Sequence, residues 1–439
     1  NRCLLETMPI VAGVDSSTQS VKVVLRDADS GELVASTSRP HPDGSEVNPQ
    51  HWWKALSEAL DELSSHKISA ISIAGQQHGM IALDKDGTVI RDALLWNDTR
   101  SDKAAEDLNR EIPDIALRTG SQLVASFTAS KVRWLADSEK ANANRVAAIA
   151  LPHDWLSWKL SGAKSIETLF TDRSDASGTG YFDSRKNEYC LDILATAIRT
   201  NQEIILPKII APNQFGATST NSIPIAAGAG DNAGAALGLG ASLGDLVISL
   251  GTSGTAFAIS KSSTHDSSGE VAGFADATGN FLPLACTLNA AKIFNTVAKS
   301  LSLSFEEFSS LALSAKVGAE GLRIIPHFDG ERTPNKPSAK GSFYGITHSN
   351  FTKENIARAS IEGVIAGMIY AARAVERQGV SYSRILLIGG AAKNSAVQQI
   401  AADLFGRTIH IPPIGEYVAD GAAKQAAWAL SGKDEVPSW

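Results

Sequence analysis

Ile10-Val11-Ala12-Gly13-Val14-Asp15-Ser16-Ser17-Thr18-Gln19-Ser20-Val21-Lys22-Val23-Val24-Leu25 is the stretch from which the rest of the chain can be read. Residues 10–14 and 21–25 are apolar, β-branched runs that predict two strands, joined by a turn of small polar residues. An acidic turn at 27–31 and a third run at 32–36 complete a meander. A helix follows: Asn48 is placed to cap it, Pro49 suits its first position, and Trp52, Leu56, Leu60 and Leu63 share one face. Next comes a strand at 68–74 ending in Gly75, and residues 102 to about 200 read as mostly helical with Gly and Pro breaks.

The same plan returns in the second half. Residues 246–250 predict a strand, Gly251-Thr252-Ser253-Gly254 a turn, and 255–259 a second strand. A long helix is predicted over 351–378, with Thr352 as cap and Gly379 as terminator, and a strand at 385–388 runs into Gly389-Gly390. Gly363 and Gly367 on that helix are read as allowing close packing. The recurrence predicts an α/β protein of two related domains facing one another. A Ser/Thr/Asn stretch at 218–222 places the boundary near 221–224, giving domains 1–223 and 224–439.

Composition narrows the function classes. Of 439 residues, 43% are hydrophobic and 20% charged, a globular balance. With 40 Lys+Arg against 47 Asp+Glu the net charge is −7, which argues against nucleic acid or an anionic membrane as partner but not against a small anionic ligand. Cys3, Cys190 and Cys286 are too few and too scattered for a disulfide framework or a zinc cluster, so a cytoplasmic, reducing setting is expected. Residues 1–7 lack the apolar core of a signal peptide, and Met8 is read as the natural start. Every long apolar run is broken by Pro, Gly or charge, so no membrane span is expected.

Several loops carry candidate chemistry. In the turn Asp15-Ser16-Ser17-Thr18, small residues let backbone N–H groups approach a phosphate and the carboxylate suits a hydrated magnesium ion; an ordinary polar hairpin would read the same way. Gly251, Thr252 and Ser253 form a second such turn, and a matching pair of loops could grip a triphosphate from both sides. Asp231 is the only ionisable residue in an apolar, glycine-rich stretch, and a carboxylate there is costly unless it is solvated, hydrogen-bonded or at work in a site. It would equally serve as the N-cap of a helix. Gly75-Gln76-Gln77-His78-Gly79 follows a strand end, where ligands of α/β proteins often sit, and offers amides and an imidazole to a polyol. Trp96-Asn97-Asp98 with Arg100 suits a second wall with an indole against a sugar face, core packing being the competing reading for Trp96. Gly389-Gly390-Ala391-Ala392-Lys393-Asn394 suits a nucleoside against backbone near a helix N-terminus. Glu331 and Arg332 read as a pair holding a loop, and residues 172–178 as a structural turn.

Together these residues resemble the FGGY group of carbohydrate kinases in the actin/Hsp70-like ATPase superfamily, the bacterial xylulokinases most nearly. The likeness runs from residue 10 to about 426 and is carried by Gly-Gln-Gln-His-Gly at 75–79, Trp-Asn-Asp at 96–98, Gly-Asp-Asn at 230–232, Ser-Leu-Gly-Thr-Ser-Gly at 249–254 and Gly-Glu-Arg-Thr-Pro at 330–334. It implies two ribonuclease-H-like domains with a catalytic cleft between them, closing over ATP, Mg2+ and sugar. The reaction implied is transfer of the γ-phosphoryl group to O5 of D-xylulose. Asp231 then matches the general base and Asn232 a sugar contact; Gln77 and His78 match the substrate-binding pair, with Trp96 as a wall. Asp15, Ser17 and Thr18 match the first phosphate loop, Asp15 holding magnesium through water. Gly251, Thr252 and Ser253 match the second loop, and Gly390, Ala391 and Asn394 the adenosine site. The family's first loop usually carries glycine where Ser17 and Ser20 stand, which puts nucleotide affinity or metal placement in question. Ribulose, gluconate or glycerol as substrate, or a non-catalytic sugar- or nucleotide-responsive module, are the alternatives; glycerol is disfavoured because its kinases would place Arg-Glu at 77–78. The resemblance leaves room for a homodimer.

Overall fold

In a computed structural model that describes residues 8–439, strands Ile10–Ser16, Ser20–Asp27 and Leu33–Pro40 pair antiparallel as the expected meander. Ile68–Gly75 joins beside the first strand, but parallel to it. Pro224–Ala226 and then Phe215–Thr218 extend the sheet, and Ala229–Gly230 pairs with the end of Ile68–Gly75. The helix Pro49–Glu62 begins where the sequence says: the Asn48 side chain accepts the Gln50 N–H at 3.0 Å and Pro49 opens the first turn. Its Trp52 and Leu56 are fully buried against Val14, Val23 and Ile73 of the sheet, together with Trp155 of the helix Pro152–Ser161.

The other sheet face is covered by an alanine-rich helix, Tyr417–Ser431. A Cβ at Gly13 would overlap the Ala419 carbonyl oxygen, one at Gly238 that of Tyr417, and one at Gly421 that of Gly234. Three backbones therefore meet with no side chain between them, and the last helix is locked onto the first strand and onto the helix Asp231–Leu239.

The chain divides differently from the expected 1–223 and 224–439. One unit takes residues up to Ala241 with Phe274–Asn280 and Gly415–Trp439; the other takes Ser242–Gly273 and Phe281–Ile414. The Ser/Thr/Asn stretch is no linker but the turn between Phe215–Thr218 and Pro224–Ala226, where the Ile223 N–H donates to Ser219 Oγ at 3.0 Å.

The second unit repeats the plan by itself. Asp245–Leu250 and Gly254–Ala258 form the hairpin, Phe281–Thr287 extends it, and Arg384–Ile388 runs parallel to Asp245–Leu250 with Ile409–His410 beyond. The long helix is Lys353–Arg377, capped by Thr352, and Gly379 follows it at φ 84°. Gly363 does allow close packing, since a Cβ would lie 2.6 Å from the Ile324 oxygen; Gly367 has open space around it. Cys190 and Cys286 are free thiols, and Cys3 lies outside the described residues, as do the readings made of residues 1–7. Among the described residues no helix is long and apolar enough to cross a membrane.

Candidate active site

In the first unit, strand register assembles the site. Ser16 pairs with Gly75 across the parallel strands, and Gly75 pairs with Gly230 on its other side. Three adjacent strand ends therefore present Asp15, Gln76-Gln77-His78 and Asp231 along one edge, the edge where the parallel strands release their loops.

Asp231 is the first helical residue, and Gly230 rather than Asp231 is the N-cap. One carboxyl oxygen accepts the Asn232 N–H at 2.8 Å and the Asn232 side-chain amide at 3.0 Å. The residue keeps some surface open to solvent, yet enough protein crowds the carboxyl that lost hydration pushes it up to about 7; the Asn232 N–H opposes this and the nearby Asp15 charge adds to it. Asp15 is 6% exposed, and burial raises it to about 6 although Ser17 Oγ donates to it at 2.5 Å and Lys22 is near.

The first loop is clamped rather than loose. The Ser17 N–H donates to the Ser20 carbonyl at 3.0 Å, and His41 donates from Nδ1 to the Ser17 carbonyl at 2.8 Å. Neither Ser17 nor Ser20 has a positive φ, so the freedom a glycine would bring is not needed in this loop. Thr18 Oγ1 accepts the indole N–H of Trp96 at 2.8 Å, which ties Trp96 to the loop. Trp96 is 39% exposed, so the core-packing reading fails. Asp98 and Arg100 face away from that role: Asp98 accepts from Ser45 and Arg100 at 2.8 Å, and Arg100 pairs with Glu46.

His78 has φ 72°, a left-handed conformation that is strained for a residue with a Cβ. The strain is held by its surroundings. Nδ1 donates to the Gly178 carbonyl at 2.6 Å, Thr128 Oγ1 donates to the His78 carbonyl at 2.8 Å, and the ring packs on Phe127 and Phe274. Gln77 Nε2 reaches the Ser174 carbonyl at 3.5 Å, and the Gly230 N–H donates to Ser174 Oγ at 3.1 Å. The segment 172–178, expected to be only a structural turn, thus holds Gln77, His78 and Gly230 in place. Gln76 is buried with its Nε2 unpartnered.

In the second unit, Ser249 pairs with Ile388, so the turn at 251–253 and the loop at 389–394 leave neighbouring strand ends. The carbonyls of Gly251 and Thr252 accept from Ala291 and Ala290, while the N–H groups of Gly251, Thr252 and Ser253 have no protein acceptor among the described residues. Such unpaired amides suit phosphate oxygens. Gly389 lies at φ 96° with its α-carbon against Leu250, and Gly390 is exposed with open space above it. Ala391 is buried. The Asn394 side chain is already engaged, capping the helix Ser395–Phe405 and donating to Ser309 Oγ at 2.5 Å. A nucleoside here would meet backbone and helix N-terminus rather than that amide. Glu331 pairs with backbone rather than with Arg332's guanidinium: it accepts the N–H groups of Leu288 and Arg332 and the Asn289 amide.

Comparison with known proteins places the chain in a family. The profile of the FGGY family of carbohydrate kinases, N-terminal domain, matches residues 10–238, and that of the C-terminal domain matches 246–430. The xylulose kinase of Streptomyces coelicolor is 41% identical over 97% of this chain and 89% of its own length, and that of Escherichia coli 32% identical over 95% and 90%. The crystal structure of xylulose kinase from Bifidobacterium adolescentis superposes with a TM-score of 0.93 at 42% identity, covering 98% of this chain and 95% of that one.

Proposed function

Because this chain belongs to the FGGY family of carbohydrate kinases, we propose that it transfers the γ-phosphoryl group of ATP to O5 of D-xylulose, giving D-xylulose 5-phosphate. The observation that carries the reading is Asp231. It stands at a strand end beside Asp15 and the Gln77–His78 wall, with a carboxyl poised near neutrality.

Phosphoryl transfer asks the protein for positioning and charge neutralisation more than for covalent chemistry. Gln77, His78 and Asn232 hold the sugar hydroxyls while Trp96 faces the carbon skeleton. The strained His78 backbone keeps the imidazole fixed before sugar arrives, so ordering it costs little on binding. Asp231 accepts the O5 proton as that oxygen attacks phosphorus; its raised pKa makes it a stronger base than an ordinary carboxylate and still leaves much of it ionised at neutral pH. The unpaired amides of Gly251, Thr252 and Ser253 receive phosphoryl oxygens, and Gly390 and Ala391 offer backbone to adenosine. The oxygen-only donor set around Asp15, crowded by a second carboxylate, fits a hydrated magnesium ion held by Asp15 through water. When bound, that ion supplies charge neutralisation on the phosphates.

ADP release with Mg-ATP and D-xylulose, beside D-ribulose, gluconate and glycerol, tests the reading. Turnover fastest on D-xylulose is expected. Preference for another of the four would overturn the sugar assignment, and ATP binding with no turnover on any would overturn the kinase.

A further inference from the structure

Behind the wall that carries Gln77 and His78 lies a group of side chains the kinase chemistry does not use. His153 and Asp154, in the first turn of the helix Pro152–Ser161, and Asp175, on the turn Arg173–Ala176, are each 0% exposed; Asp172 is 2% exposed. His153 Nε2 lies 3.1 Å from Asp175 Oδ2 and 3.4 Å from both Asp154 Oδ1 and Asp172 Oδ1. None of these contacts has hydrogen-bond geometry. Both ring nitrogens of His153, both carboxyl oxygens of Asp175, Asp154 Oδ1 and the hydroxyl of the adjacent, fully buried Thr171 lack a hydrogen-bond partner.

Two readings compete. A protonated His153 would neutralise one carboxylate, and a second one left ionised beside it would be costly to seal from water. Among the described residues His153 is also the only cationic group that pairs with Asp154 or Asp175. Its ring N–H could satisfy one oxygen in line, yet none of the three takes that position. The distances from His153 Nε2 to these oxygens instead match those between two ligands of one ion. Ligands about 2.1 Å from a small cation stand about 3.0 Å apart at right angles and about 3.4 Å apart at tetrahedral angles.

We propose that His153 Nε2, Asp154 Oδ1 and Asp175 Oδ2, with Asp172 alongside, bind one small divalent cation of the zinc or manganese kind. One imidazole with carboxylates and no thiolate is a donor set for that class. The ion fastens the helix Pro152–Ser161 to the segment 172–178, whose Ser174 and Gly178 hold Gln77, Gly230 and His78. It is a structural ion, distinct from the magnesium proposed at Asp15, and with every ligand buried it is taken up as the chain folds.

Elemental analysis tests this on protein made in medium supplemented with zinc or manganese and desalted in EDTA. About one equivalent is expected in the wild type and in Asp15→Asn, and a large loss in Asp175→Asn and His153→Gln. Should the variants not fold, the wild type refolded from denaturant with zinc, with manganese or with EDTA gives the second readout. One of the metals should raise the melting temperature by several degrees over EDTA, with the ion retained after desalting. Metal-free wild type that melts identically in all three would overturn the site, and so would an ion retained in Asp175→Asn.

Discussion

Asp231 turns a local arrangement into a pH dependence. On the proposed mechanism its carboxyl must be ionised to accept the sugar proton, and burial pushes its pKa up to about 7. kcat/KM should therefore rise about tenfold per pH unit below the midpoint and level off above it, whereas an ordinary carboxylate would give a flat profile over the same range. The same shift costs stability in the opposite sense. A carboxyl whose folded pKa lies above its unfolded value is harmless to the fold at low pH, destabilises it progressively as pH rises from about 4 to about 7, and costs a constant amount above that. Asp231→Asn should then melt higher than the wild type at alkaline pH, with a margin that shrinks toward acid; a constant margin would assign the effect to packing. His78 offers a second test at this scale. A Cβ at Gly178 would sit 2.9 Å from His78 Nδ1, so Gly178→Ala should raise KM for the sugar by about tenfold and leave KM for ATP unchanged, as expected of displaced positioning. An equal rise in both would contradict the assignment. The sequence carried the strand-end motifs themselves, because each is a contiguous run. Ser174 and Gly178 escaped it because they lie far along the chain from the residues they hold, and no local pattern marks them.

Elements were legible wherever their signals are local. Asn48-Pro49 and Thr352 sit at the observed helix starts, and Gly379 follows the observed end, because capping depends on neighbouring residues alone. Packing of the last helix was not legible, since alanine gives no strong periodicity and the contact is between backbones. It is testable nonetheless. Replacing Gly238 or Gly421 by alanine drives a methyl into a carbonyl oxygen of the facing helix, which should cost about 1–3 kcal/mol in a urea melt. Gly367→Ala, with open space around it, should be neutral or slightly stabilising through helix propensity. Equal effects at the three positions would contradict the close backbone approach.

For the whole molecule, the repeated strand–turn–strand plan foretold two units; the division differs because the first unit runs on to Ala241 and the chain returns to it at Phe274–Asn280 and again at Gly415. Each unit has its own buried core, one around Trp52, Leu56 and Trp155, the other around Phe294, Phe308 and Met368. Calorimetry should therefore show D-xylulose raising the transition of the first unit and ATP that of the second, where the two are resolved. ATP acting on the first transition alone would contradict the assignment of the turn at 251–253. The most direct test of the account is the turnover of Asp231→Ala on D-xylulose with Mg-ATP, with nucleotide binding measured on the same protein. A fall in kcat of about 10²–10⁴ with ATP affinity unchanged is the predicted result. Turnover within a few-fold of the wild type would contradict the claim that Asp231 takes the proton.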